Sequence, residues 1–332
     1  MVAARRQFLR FSANAIAATA CASIAHAQDG SRRRDYPSKP ITLIVPFPPG
    51  GSTDVVGRIV AERMRPLLGQ PLVIENVGGA GGSIALGRVA RASPDGYTID
   101  IGQWDTHVGG IIYNINYNLQ TDFTPIGLMT INPQLMVARK NLPADDLKGL
   151  VAYMKANPGK ALLANQTAAA QTSGIQLQEL TGTTLQLIPY RGAGPALTDL
   201  LAGNVDLMVS QAAAVLPQVR GGSLKAIANL SPQRSRVMPE IPTADESGVR
   251  GLYTSGWFGL FAPKGTPNDV INKLNSAMVE TLADPAIRAR LAELGLDVAP
   301  REQQTPQGLA EFYKAEVDKW WPILKAANIK GE

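Results

Sequence analysis

From Ile41 onward the chain alternates apolar runs of four to six residues with amphipathic stretches of 10 to 18, and this constrains its fold more than any other feature. Strands are expected at Ile41 to Val45, Leu72 to Glu75, Tyr97 to Ile101, Leu135 to Ala138, Ala161 to Ala164, Leu185 to Ile188, Asp206 to Val209, Ala226 to Leu230 and Trp257 to Ala262. Helices are expected near Thr53 to Leu68, Ser83 to Ala92, Asp145 to Ala156, Thr172 to Leu180, Ala193 to Ala202 and Ala212 to Val219. Such alternation implies α/β architecture with parallel sheets and crossover helices. Ligands of such sheets bind beyond the C-terminal strand ends. The last 75 residues are mostly helical, and no long linker divides the chain. It is therefore expected to cross between two domains more than once.

The N-terminus belongs to neither domain. Arg5-Arg6-Gln7-Phe8-Leu9-Arg10, an Ala-rich run to Ile24 and the small-x-small Ala25-His26-Ala27 read as a cleavable, twin-arginine-like export signal over 1–27, followed by a mobile leader over 28–35. The apolar run is too short and weak to span a membrane. Ala18-Thr19-Ala20 is a poor lipobox for acylation of Cys21. Cleavage after Ala27 lowers the basic count from 32 to 29 against 27 acidic residues, so the net charge falls from +5 to +2 and no nucleic-acid surface is indicated. It also removes the single cysteine and one of two histidines, leaving His107. No cofactor and no metal site is expected, and a thiol nucleophile is excluded.

Three small-residue turns follow strands. The first runs through Pro46-Phe47-Pro48-Pro49-Gly50-Gly51 into Ser52, Thr53 and Asp54, types that open a helix. A glycine turn before a helix gathers unpaired N–H groups at the positive end of the helix dipole, which favours an anion. The stretch also reads as an ordinary first βα turn, with Asp54 as helix cap. The second turn, Asn76 to Ser83, lacks the third glycine of a dinucleotide fingerprint because Ile84 stands there. The third, Asn165 to Ser173, carries neutral hydrogen-bonding side chains such as Thr167 and Thr172. Two further strand ends, Gln103-Trp104-Asp105-Thr106-His107 and Ser210-Gln211, point the same way. Trp104 either stacks on a ligand or packs internally. His107 has no Gly-x-Ser-x-Gly partner and is read as a structural or ligand-contacting residue. Neutral donors without paired catalytic carboxylates describe a binder better than an enzyme.

Several motifs resemble the periplasmic receptors of tripartite tricarboxylate transporters, the Bug or TctC group. They include Tyr36-Pro37-x-Lys39-Pro40-Ile41, Pro46 to Asp54, Glu75-Asn76 with Gly79 to Gly82, Pro94 to Thr98, Thr106-His107, Ala156 to Gly159, Pro189 to Ala196, Gly203 to Met208 and Trp257 to Pro267. The resemblance covers about residues 36 to 329. It implies a two-lobe periplasmic-binding-protein fold, a type II-like clamshell in which each lobe is a mostly parallel sheet flanked by helices. Lobe one would combine 36–136 with 257–332, and lobe two would span 137–256.

By the same resemblance a carboxylate is held by Gly50, Gly51, Ser52 and Thr53 together with Gly81, Gly82 and Ser83. Phe47, Trp104, Thr106, Asn165, Thr167, Thr172, Ser210 and Gln211 would contact the rest of the ligand. The third loop departs from the family's Ser-x-Gly-x-Gly-Ser, and Val209-Ser210-Gln211 lacks a common acidic group. The second departure disfavours an amino-bearing ligand and favours a dicarboxylate, tricarboxylate or aromatic acid. The implied partners are that organic acid and membrane permease subunits, and the receptor is expected to be a periplasmic monomer. The competing readings are a secreted hydrolase or lyase using His107 with Asp105 or Asp54, and a receptor that feeds a signalling sensor.

Overall fold

A computed structural model describes residues 36–235, 238–254 and 256–326, and the fold is that of the unit beginning at Lys39. The expected export signal (1–27), the leader (28–35) and Cys21 lie outside the described residues. In chain order the elements are β1 (Ile41–Val45), α1 (Ser52–Leu68), β2 (Leu72–Asn76), α2 (Ser83–Ala90), β3 (Thr98–Gln103), β4 (Phe123–Ile131) and β5 (Gln134–Arg139). They continue with α3 (Leu147–Ala156), β6 (Leu162–Asn165), α4 (Ala168–Thr181), β7 (Gln186–Pro189), α5 (Ala193–Ala202), β8 (Leu207–Gln211), α6 (Ala212–Arg220) and β9 (Leu224–Asn229). The chain closes with β10 (Trp257–Pro263), α7 (Asn268–Ala283), α8 (Pro285–Glu293), β11 (Asp297–Val298) and α9 (Pro306–Ala326).

Two sheets result, ordered β11-β4-β10-β3-β1-β2 and β7-β6-β8-β5-β9. Each βα alternation yields a parallel pair: β1 with β2 and β3, and β6 with β7 and β8. The sheets are nevertheless mixed, where the alternation alone predicts mostly parallel ones. β10 runs antiparallel to β3 and β4, β11 to β4, and β5 to β8 and β9. Apart from the two-residue β11, which follows α7 and α8, the strands responsible are those at the passages between sheets, where no crossover helix imposes a parallel return. β4 leads through Asn132 and Pro133 into β5, which belongs whole to the second sheet, and the chain re-enters the first at Gly256. The two passages touch: Asn132 N–H donates to the Gly256 carbonyl at 2.7 Å. A Cβ on Gly256 would come within 2.5 Å of the Asn132 carbonyl, so this crossing requires glycine.

β4 and β11 were not expected. Pro125 and Gly127 interrupt the apolar pattern of β4, and its pairing with β10 is irregular where they fall. β11, with two residues, has no period to read.

Apolar burial explains the rest. β1 is covered so fully that Ile41, Leu43, Ile44 and Val45 expose nothing. α1 turns Val56, Ile59, Val60, Met64 and Leu68 inward at helical spacing and stops at left-handed Gly69, whose N–H donates to the Arg65 carbonyl. α9 packs its Val317 and Trp320 into the first core, with Phe312 and Trp321 at the margin. Its Tyr313 hydroxyl donates to the His107 and Leu119 carbonyls, and Trp321 Nε1 donates to the Val108 carbonyl. The last helix thereby clamps the turns that follow β3. No described helix is long and apolar enough to cross a membrane.

Candidate functional site

The C-terminal ends of β1, β3, β6 and β8 meet at one cleft between the sheets, joined by the first residue of the antiparallel β5. A cavity of about 80 Å³ lies there. One wall is Phe47, Gly51, Ser52 and Thr53 from the β1–α1 turn, with Gln103 and Asp105 after β3. The opposite wall is Gln134, Gln166, Thr167, Ser210 and Gln211, with Ala193, Gly194 and Pro195 at the start of α5. A wider space of about 670 Å³ adjoins it, sharing Phe47, Pro48, Gln166 and Thr167 and bounded by Gly78 to Gly82, Tyr113 and Asn165.

Three helix starts on this cavity carry no side-chain cap: at α6, after Gln211, the first N–H, that of Ala212, goes to the Pro133 carbonyl, while α1 and α5 start on opposite walls. Gly51 precedes α1 in extended conformation, and Val55 is the residue whose N–H bonds back to the Gly51 carbonyl. The N–H groups of Ser52 and Thr53 therefore have no partner within the helix. Across the cavity, α5 starts after uncapped Gly192, with the N–H groups of Ala193 and Gly194 in the same position. Both helix dipoles present their positive ends.

The turn before α1 is held from behind. The Asp54 carboxylate accepts from Gly50 N–H, Arg58 Nε and Asn76 Nδ2, each at 3.0 Å. Burial would raise its pKa, but the hydrogen bonds from Arg58, Gly50 and Asn76 outweigh that and hold the carboxyl below its ordinary value. Asp54 thus ties down Gly50, whose φ of +87° only glycine adopts readily, instead of capping the helix.

The α4 start is occupied from within. Asp105, on the π-helical turn Trp104–Val108, reaches across the cleft to accept from Ala169 N–H at 2.7 Å. Thr167 Oγ1 accepts from Ala170 N–H. Burial pushes Asp105 up to about 6, against the lowering effect of its Ala169 and Thr167 hydrogen bonds. A second link across the cleft joins Gln211 Nε2 to Gln103 Oε1 at 2.8 Å, and Thr53 Oγ1 donates to the same Gln103 oxygen.

His107 faces away from this chemistry. It is wholly buried, stacked on Phe261 at 4.1 Å, with Nε2 3.6 Å from the equally buried Asp100. Burial lowers the imidazole to about 3 and raises Asp100 well above the carboxylate range. At neutral pH the imidazole is uncharged and sealed from solvent, which suits packing and not proton transfer.

Of the residues expected at a site, Phe47, Gly51, Ser52, Thr53, Thr167, Ser210 and Gln211 line the smaller cavity, while Gly81, Gly82 and Asn165 line the wider space. Five lie elsewhere. Trp104 is not a stacking surface: it is buried edge-on against Trp320, ring centres 5.3 Å apart. The Thr106 hydroxyl is spent on the Gln103 carbonyl and His107 Nδ1 behind the turn. Thr172 sits within α4, which begins four residues earlier than expected, and donates to the Ala168 carbonyl. Ser83 borders a separate hollow with Asn116 and Tyr117, its carbonyl accepting from the Tyr117 hydroxyl. Gly50 gives its N–H to Asp54, so it has none for a ligand.

Gln134, Ala193 and Gly194 line the cavity without having been expected there, and Gln103, Asp105 and Gln166 line it from within expected stretches in which other residues were singled out. The run Gly192-Ala193-Gly194-Pro195 was a readable helix start, with proline near its first turn. Gln134 had no local signal, because only antiparallel pairing with Gln211 brings it to the cleft.

Comparison with known proteins gives one answer. The family model described as "Tripartite tricarboxylate transporter family receptor" matches residues 56–329. The solved periplasmic binding protein BugD is 40% identical, with a TM-score of 0.83 over 89% of this chain and 99% of that one. MatC from Rhodopseudomonas palustris, solved with bound malate, is 37% identical, with a TM-score of 0.82 over 87% and 100% of the two chains. The R. palustris protein Rpa4515, solved with adipate, is 30% identical, with a TM-score of 0.84 over 89% and 99%.

Proposed function

This chain belongs to the tripartite tricarboxylate transporter receptor family, and from that premise we propose that it is an exported receptor that closes on a small organic carboxylate and passes it to a membrane permease. The observation that carries this reading is the pair of uncapped helix starts on opposite walls of one cavity. A carboxylate between the N–H groups of Ser52 and Thr53 and those of Ala193 and Gly194 would meet two positive dipole ends at once. It would then bridge a lobe built on the first sheet and a lobe built on the second, with all of β5 in the latter. A ligand that touches both lobes stabilises only the closed state, which is how binding becomes a signal to a partner. Micromolar affinity needs about 8 kcal/mol, within reach of one desolvated anion held by several N–H groups. The relatives that hold malate and adipate support a small carboxylate as the ligand class.

Export through a signal cleaved after Ala27 would place the receptor in the periplasm, where the permease could be met. A hydrolase reading loses its residue, since His107 is buried and uncharged and neither Asp54 nor Asp105 reaches it by hydrogen bond. The reading is tested by a thermal-shift screen of organic acids beside their neutral amides. An acid at a hundredfold excess over its Kd should stabilise the protein by about 2.7 kcal/mol, a rise of a few degrees in Tm, while its amide does not. Stabilisation by neutral amides alone would contradict it.

A further inference from the structure

The relatives solved with malate and adipate hold dicarboxylates, yet this cleft already contains a carboxylate of its own. Asp105 is 2% exposed. It lines the cavity and fills the α4 start by accepting from Ala169, while Thr167 fills the next N–H. Of the helix starts on the cavity, α1, α5 and α6 lack side-chain caps, but at α4 an incoming anion would have to displace a protein carboxylate. It would also have to approach a negative charge in a poorly solvated space, where like charges repel strongly.

The neutral groups on that wall point to the opposite chemistry. Gln166 and Gln211 each bury more than nine-tenths of their surface and line the cavity. Gln166 Nε2 donates to the Val209 carbonyl and Gln211 Nε2 to Gln103 Oε1, leaving the two Oε1 atoms without a hydrogen-bond partner among the described residues. Buried acceptors without donors are costly, so a ligand that brings donors is favoured over one that brings further acceptors.

We propose that Asp105 determines specificity by standing in for a ligand's second carboxylate, so that the cleft prefers acids with one carboxylate and a hydrogen-bond donor at the far end over dicarboxylates of equal length. Suitable donors are a hydroxyl, a primary amide and an ammonium group. This rests on the carboxylate grip by α1 and α5. It also reverses the preference drawn from Val209-Ser210-Gln211, because the acidic group missing from that strand end is supplied by the turn after β3.

The test is a calorimetric titration of the purified protein with succinate, succinamate, 4-hydroxybutyrate and 4-aminobutyrate, and with the corresponding five- and six-carbon sets. The wild type should bind at least one donor-tailed acid ten times or more tighter than the dicarboxylate of its length. Asp105→Ser, which empties the α4 start, should raise dicarboxylate affinity at least tenfold and invert the order. Asp105→Asn keeps the side-chain shape and should narrow the preference, which guards against misfolding of the serine variant. Wild-type preference for dicarboxylates, or the same order of affinities in all three proteins, would overturn the assignment to Asp105 while leaving the carboxylate grip standing. Binding of none of these acids by any of the proteins would overturn the grip itself, and this inference with it.

Discussion

Gly51→Asp should abolish acid-induced stabilisation while leaving the fold intact. Gly51 has φ −80° and ψ 169°, ordinary for any residue, and a Cβ there would meet only the Pro48 carbonyl, at 3.9 Å. An aspartate therefore fits, and aspartate is a favoured residue before a helix. Its carboxylate would cap the N–H groups of α1 that are otherwise offered to the cleft, and it would repel the incoming anion. Like-charge contact in a closed site costs several kcal/mol, so affinity should drop at least about 100-fold. Calorimetry on folded variant protein measures this, with Gly51→Ser as the neutral control that retains part of the affinity. Undiminished binding by Gly51→Asp would remove the α1 start from the site.

The second large effect is on stability. Trp320 is 1% exposed, packed edge-on against Trp104 in the core that supports the turn carrying Gln103 and Asp105. Trp320→Ala should cost about 3–5 kcal/mol, the usual range for truncating a buried indole. Tyr313 and Trp321 still tie α9 to the same turns, so the loss should weaken the fold without abolishing it. It should also lower ligand affinity, because a turn freed from its backing no longer holds Gln103 and Asp105 in register with the opposite wall. Urea unfolding measures the first effect and calorimetry the second. An unchanged urea midpoint would show that Trp104 is held by other contacts.

What the sequence revealed follows physical range. Strands and helices with an uninterrupted period, such as β1 and α1, were legible because burial of one face writes that period into neighbouring residues. β4 was hidden by Pro125 and Gly127, which tertiary pairing with β10 accommodates. The glycine turn before α1 could be read as an anion site because strand, turn and helix start are contiguous. The start of α5 on the opposite wall could not be tied to it, because it lies about 140 residues later in the chain and only the packing of the sheets brings the two to one cavity, while Gly81 and Gly82 border the adjoining wider space. The role of Asp105 was similarly out of reach, since its partner Ala169 lies 64 residues away on the other wall. Trp104 was ambiguous for a related reason, because an indole beside a strand end faces a ligand or a core according to where α9 packs.

The most direct measurement is a crystal structure of the protein with an acid that raises its Tm. The account predicts a ligand carboxylate within hydrogen-bonding distance of the Ser52 and Thr53 N–H groups on one wall and of Ala193 and Gly194 on the other. A carboxylate seated instead on the Gly79 to Gly82 turn, or outside the cleft, would contradict it.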